Sequence, residues 1–322
     1  MKKIILCMPK FHGYEDEIIR ELKNKGFQVK YIDYLDYIKK NKKYKNIFEW
    51  LINNLYFKKY KKFDLLEERA INKFENEILK QSEGYDIFLK IGPIIFKEST
   101  LQVLKKFFSV KISHHWNSIG EYHSVDDLIN EKKFFTRIYS YDKEDCKNYK
   151  LEYLANYYSI KNNLEVEEEN RIYTIMSDIT KLTMLENIVK IMKENNINSS
   201  LKLITKNKNI KSKYVLIQDK PLTKDIVMEE MKKSKFILEL NRKNNRGCTF
   251  RAIECIGLKK KLITTNKEIV NEDFYNQNNI LVIEENNVEI PKYFLNSPYE
   301  ELPREIYEKY SLENWIKKLL YL

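Results

Sequence analysis

Hydrophobic and polar positions alternate along this chain in short blocks, each of which fits either a buried strand or one face of a helix. The run from Lys3 to Met8 has the continuous apolar character of a strand covered on both faces. Tyr14 to Asn24 follows with Ile18, Ile19 and Leu22 at helical spacing. Gly26 stops that helix, and Phe27 to Ile32 reads as the next strand. The first 34 residues therefore predict a βαβ unit, which commits a fold to parallel α/β architecture because parallel neighbours need a crossover. The alternation returns with strands at Asp86 to Ile91, Val110 to Ser113 and Phe135 to Tyr139, and a helix at Ser99 to Phe107.

Periodicity lapses between Asn156 and Asn170, where the acidic run Glu165-Val166-Glu167-Glu168-Glu169 reads as a linker. A second series then predicts strands at Ile172 to Met176, Ser200 to Thr205, Val215 to Gln218, Lys235 to Leu240 and Lys261 to Thr264. Helices are expected at Lys181 to Glu194, Lys224 to Lys233 and Phe250 to Ile256. The expected fold is α/β, with two Rossmann-like domains, residues 1–160 and 161–303, facing a cleft that would take a ligand. Arg304 to Leu322 reads as a closing helix pair, for which packing back on the first domain is one expectation.

Composition agrees with a folded chain of two domains. Of the 322 residues 43% are hydrophobic, with only seven Gly and six Pro, too apolar and too poor in breakers for disorder. No stretch approaches the roughly 20 apolar residues of a membrane span. The four cysteines are scattered without a CxxC or a neighbouring histidine, which suggests a reduced, cytosolic protein without structural zinc. The net charge of +11 calls for an anionic partner, whether nucleic acid, a lipid surface or a phosphate-bearing substrate. The loop after the first strand, Pro9-Lys10-Phe11-His12-Gly13, lacks a GxGxxG, which argues against a dinucleotide cofactor in that half.

Chemistry concentrates between Asn241 and Asn279. The chain runs strand, polar loop, helix, strand, with Thr249 as a usable N-cap for the helix that carries Arg251 and Glu254. Unpaired N–H groups and a partial positive charge at a helix start suit a diphosphate, and Arg246 and Arg251 would add bidentate contacts. Gly247 would let the backbone approach closely, and Glu254, about one turn in, could accept from two ribose hydroxyls. The bland alternative pairs Glu254 with Lys259 or Lys260 and leaves both arginines solvated.

The segment GCTFRAIECIGLKKKLITTNKEIVNEDFYNQNNI resembles the GLTxRxxE…KKLITxN signature of a family of bacterial capsule and lipopolysaccharide biosynthesis glycosyltransferases. More distantly it resembles the nucleotide-binding segment of retaining glycosyltransferases of the GT-B fold. Gly13-Tyr14-Glu15, His115-Trp116-Asn117-Ser118, Tyr141 to Asp145, Tyr310 and Trp315 extend the likeness thinly. It implies a sugar transferase using a nucleotide-sugar donor as substrate, with no cofactor, acting on a glycan or polyprenyl-linked acceptor. Arg251 and Glu254 would be the donor pair, with Thr249 beside them. Asn117 stands where the pattern has Asp, and Cys248 where it has Leu.

His115 and His12 follow strand ends and are the candidate catalytic histidines, His115 as a hydrogen-bond partner of the transferred sugar; a satisfied buried histidine is the alternative for either. Glu15, Asp16, His12 and Asp142 are candidate general bases for an inverting reaction. HxH, HExxH and DxD spacings are missing, so no metal site is indicated. Lys39 to Lys62 holds nine Lys against one acid, Glu49, with Tyr44, Trp50, Tyr56, Phe57 and Tyr60 interleaved. It predicts an amphipathic basic helix, either peripheral on an anionic membrane or packed on the core with a solvated Lys face. A cytoplasmic, membrane-peripheral enzyme is the reading favoured. A nucleic-acid-binding protein is the leading non-enzyme alternative, though no recognition motif supports it and no nucleic acid is expected, and a non-catalytic sugar-nucleotide binder of the same fold is another.

Overall fold

The computed structural model describes residues 1–61, 64–121, 124–159, 166–242 and 246–322, and for 60 and 61 the backbone alone. The chain divides into two compact units, Met1–Leu154 and Ala155–Leu322.

The first unit holds β1 (Lys3–Cys7), β2 (Gln28–Ile32), β3 (Ile87–Ile91), β4 (Val110–His115), β5 (Arg137–Ser140) and β6 (Glu152–Tyr153). Its helices are α1 (Tyr14–Asn24), α2 (Tyr34–Asn41), α3 (Ile47–Ile52), α4 (Leu65–Gln81), α5 (Glu98–Phe107), α6 (Val125–Lys132) and α7 (Lys143–Tyr149). Every strand pair is parallel, in the order β2-β1-β3-β4-β5-β6. Helices cover the interior strands, so β3 is buried at all five positions, its one charged residue, Lys90, being paired with Glu131 of α6. Phe74 and Ile71 of α4, Phe88 of β3 and Leu101 and Leu104 of α5 meet in the core. Burial of each such side chain contributes about 1.5–3 kcal/mol. Helix starts are set locally: Asp64 accepts from the Leu66 and Glu67 amides, and Ser124 and Asp127 form a reciprocal capping box.

No expectation covered α2, α4, α6 or α7, although Leu66, Ala70, Ile71, Phe74 and Ile78 of α4 all face the core. One expectation for this unit is corrected. The basic stretch is not one amphipathic helix. It comprises the end of α2, then α3, then a π-helical segment at Asn53–Lys61, and α3 buries none of its residues.

The second unit holds β7 (Glu169–Met176), β8 (Asn198–Ile204), β9 (Leu216–Gln218), β10 (Ser234–Glu239), β11 (Lys261–Thr264) and β12 (Ile280–Val282). Its helices are α8 (Leu182–Glu194), α9 (Lys224–Lys233), α10 (Phe250–Leu258), α11 (Lys292–Asn296), α12 (Arg304–Lys309) and α13 (Leu312–Leu320). The sheet is again parallel throughout, in the order β12-β11-β10-β7-β8-β9. Leu185 and Ile188 of α8 pack with Phe236, Leu238, Ile263 and Phe294.

The observed division falls at 154/155, and Glu169, assigned to the linker by its charge, begins β7; residues 160–165 lie outside the described part. The closing helices belong to the second unit. There the indole of Trp315 donates to the Ala155 carbonyl at 2.8 Å, the Tyr158 amide donates to the Tyr310 carbonyl at 2.9 Å, and the Leu312 amide donates to the Tyr158 carbonyl at 2.8 Å.

Candidate functional site

In the second sheet β7 lies beside β10. From β7 the chain first moves outward through β8 and β9, then returns to build β10, β11 and β12 on the other side. The crevice outside the carboxyl ends of β7 and β10 is therefore a topological switch point, where open parallel sheets take their ligands. A depression of about 580 Å³ lies there, and its lining includes Asp178 and Lys181 after β7, Asn241, Arg242 and Arg246 after β10, and Lys267 after β11. Asp178 accepts from the Thr180 hydroxyl at 2.6 Å, and that bond holds its carboxyl below the usual carboxylate range. Lys181 pairs with Glu285, and Lys267 with Glu284.

The loop that follows β10 is fastened from behind. Thr249 is the N-cap of α10: its hydroxyl accepts from the Ala252 amide at 3.4 Å and donates to Glu239 at the end of β10. The other carboxylate oxygen of Glu239 accepts from Thr264 of β11 at 2.9 Å. Burial pushes the Glu239 carboxyl up, opposed by these two hydroxyl bonds and by the charge of Arg251. The side chain of Asn266 donates to the Gly247 carbonyl at 3.2 Å, and that of Asn156 to the Cys248 carbonyl at 2.9 Å. No acidic residue occupies the first turn of α10 itself; the carboxylate at this helix start is that of Glu239, bonded to the N-cap hydroxyl.

Of the five expected donor residues, Arg246 enters the lining of this depression. Buried Gly247 and partly buried Thr249 build the turn that follows it. Arg251 is partly buried and reaches across to β7, with Nη1 3.5 Å from the Thr174 hydroxyl. Glu254 is buried and lies 3.9 Å from the Lys224 ammonium at the start of α9, rather than beside Lys259 or Lys260 as the bland alternative held. Sequence reasoning passed over Lys181, Asn241 and Arg242. Their position just past the ends of β7 and β10 was the available signal.

The first sheet has its own switch point, between β1 and β3. Past β1, His12 and Gly13 both take left-handed backbone (φ 53° and 86°) before α1 begins. His12 is exposed, its ring 4.6 Å from that of Phe11, which in turn lies 5.5 Å from Trp116 after β4. Glu15 is buried. Its Oε2 accepts from the Phe11 amide at 3.0 Å, and its Oε1 has no partner among the described residues. Trp116 lies over Gly92 so closely that a Cβ there would sit 2.6 Å from the indole.

The two adjacent histidines do not divide between core and ligand as a strand end would suggest. Both are 1% exposed. His114 bonds the Leu154 carbonyl at 2.9 Å, and His115 bonds Glu131 of α6 at 3.0 Å, where Lys90 pairs with the other carboxylate oxygen. His115 thus occupies the satisfied, buried position, because α6 covers this face of β4. Burial, aided by the Lys90 charge, lowers its pKa, and burial lowers that of His114 to about 4. Asp142 serves as the N-cap of α7, accepting from the Glu144 amide at 2.9 Å and the Ser118 hydroxyl at 2.6 Å, while Asp16 is exposed.

Among the described residues no group of three His, Cys, Asp or Glu side chains is arranged to hold a metal ion, and no helix is long and apolar enough to cross a membrane.

Compared by sequence, no family model matches the chain and no curated protein matches it. Solved structures do. MnaA of S. aureus in complex with UDP is 13% identical, with a TM-score of 0.54 over 100% of this chain and 98% of that one. A UDP-forming α,α-trehalose-phosphate synthase from Burkholderia xenovorans is 10% identical, with a TM-score of 0.57 over 100% and 98%. An α-glucosyltransferase in complex with UDP-glucose and DNA is 13% identical, with a TM-score of 0.53 over 100% and 95%. The likeness spans both units, and the fold is α/β with two Rossmann-like domains of the GT-B type.

Proposed function

We propose that this chain is a glycosyltransferase that draws its sugar from a nucleotide-sugar donor held at the carboxyl edge of the second sheet. The observation that carries the reading is the gathering of Arg242, Arg246 and Lys181 at the β7/β10 switch point, beside the loop that opens α10. Guanidinium groups and free helix amides bind diphosphate oxygens and offset the charge that builds on the leaving diphosphate. Arg251 and Glu254 extend the proposed site along α10, Glu254 as acceptor of the ribose hydroxyls, with Gly247 and Thr249 shaping the turn between them. That UDP or UDP-glucose occupies the similar structures supports a uridine nucleotide as the first donor to try.

On the first unit, His12 and Glu15 are the proposed acceptor-side groups, while His115 holds β4 to α6 through Glu131. The acceptor proposed is a glycan or polyprenyl-linked saccharide of bacterial capsule or lipopolysaccharide assembly, in the cytoplasm, without a divalent metal. A nucleotide panel in a thermal-shift assay tests the donor site: UDP, GDP, CMP or TDP should raise the melting temperature. Absence of any nucleotide shift, together with oligonucleotide binding that falls steeply with salt, would remove the reading and favour a nucleic-acid partner.

A further inference from the structure

Residues 44–59 of the first unit invert the usual arrangement of a surface helix. Ile47, Phe48 and Leu55 are 78%, 67% and 59% exposed, and Trp50, Leu51 and Tyr56 are exposed beside them. Scattered apolar residues on a surface are ordinary, but a contiguous run of this size marks a binding face.

The inward side is the polar one. Asn53 is buried, accepting from the Leu65 amide at 2.9 Å and donating to Asp64 at 3.3 Å. At the surface of the segment itself, Asn46 caps α3 through the Glu49 amide at 2.9 Å, and Asn54 donates to the Tyr44 hydroxyl at 3.2 Å. Glu49, the one acid of the stretch, pairs with Arg69 of α4 and accepts from the Lys45 amide at 2.6 Å. The segment is thus fastened to α4 through its polar groups while its apolar groups face outward.

We propose that this face docks on an anionic lipid bilayer. Charge selects that occupant. The single acid is neutralised within the fold, whereas Lys39, Lys43 and Lys45 are exposed and make no side-chain ion pair among the described residues. Lysines rimming exposed Trp, Tyr and Phe suit a headgroup layer, where ammonium groups meet lipid phosphates and aromatic rings settle at the acyl boundary. A second copy of the chain would set lysine against lysine, and a nucleic acid would leave Ile47 and Leu55 in water. The proposal is independent of the sugar-nucleotide reading.

Sedimentation of the full chain with vesicles tests it. Vesicles of mixed phosphatidylglycerol and phosphatidylcholine should carry the protein down at least ten-fold better than phosphatidylcholine alone, and 0.5 M salt should weaken binding. The triple variant Phe48→Ser, Trp50→Ser, Leu55→Ser should lose binding at least ten-fold, with an unchanged urea midpoint and circular dichroism spectrum showing that it folds. Equal binding by variant and parent, or no binding to anionic vesicles, overturns the proposal. Concentration-dependent self-association abolished by the same variant would give the face to a second copy instead.

Discussion

The hydroxyl of Thr249 donates to the carboxylate of Glu239, and through that one carboxylate the start of α10 is joined to the ends of both β10 and β11. Glu239 is 5% exposed, so its removal strands the hydroxyls of buried Thr264 and half-buried Thr249. Glu239→Ala is expected to cost about 3 kcal/mol, and Thr249→Val, which also removes the cap, about 1–2 kcal/mol. Urea unfolding measures both. A Thr249→Val variant within about 0.5 kcal/mol of the parent would show that the clasp does not hold the helix.

Arg246 and Glu254 occupy different parts of the proposed donor site and should fail differently. Arg246→Ala is expected to weaken UDP about ten-fold while leaving uridine little changed, because only the diphosphate meets the guanidinium. Glu254→Ala should weaken UDP and uridine alike, by about the same factor, because both carry the ribose. Isothermal titration of the four combinations separates the two roles. Unaltered UDP affinity in a folded Glu254→Ala protein would take Glu254 out of the site.

Acid should loosen the first unit through its histidines. The pKa of His114 falls from about 6.5 in the unfolded chain to about 4 in the fold, so the unfolded chain takes up the proton first. The corresponding stability is complete above pH 6.5 and is lost as the pH falls towards 4, amounting to about 3 kcal/mol over that window. His115 shifts in the same direction. His114→Asn should flatten the dependence of unfolding free energy on pH between 6.5 and 4; an identical slope in the variant would exclude His114 as its source.

Gly92 combines left-handed backbone, φ 87°, with the close approach of Trp116. Gly92→Ala is therefore expected to destabilise by about 2 kcal/mol or more, since backbone strain adds to displacement of the indole. Near-ultraviolet circular dichroism would register the altered Trp116 environment. Parent-like stability and spectrum would mean that the ring moves aside freely.

Much of the sheet framework was legible because strands covered on both faces carry apolar runs: Ile4 to Cys7 and Phe236 to Leu238 are buried without interruption. The helix over Phe250 begins where Thr249 predicts, since an N-cap is a local device. Tertiary partners were not legible. Whether His115 meets a ligand depends on Glu131, 16 residues away on α6, and the reach of Arg251 to Thr174 spans 77 positions. The apolar period of residues 47–55 is the same whether that face turns inward or outward. Asn53, buried against Asp64 and the Leu65 amide, settles the direction, and its partners lie at the start of α4, a helix that sequence reasoning did not assign.

The tie between Trp315 and the Ala155 carbonyl has a consequence for how the chain is made. All six strands of the first sheet have been translated by Tyr153, so that unit can mature during synthesis of the rest. The second cannot: its opening residues wait for α13, translated about 160 positions later, and a stalled nascent chain lacking that helix would present them to chaperones and proteases.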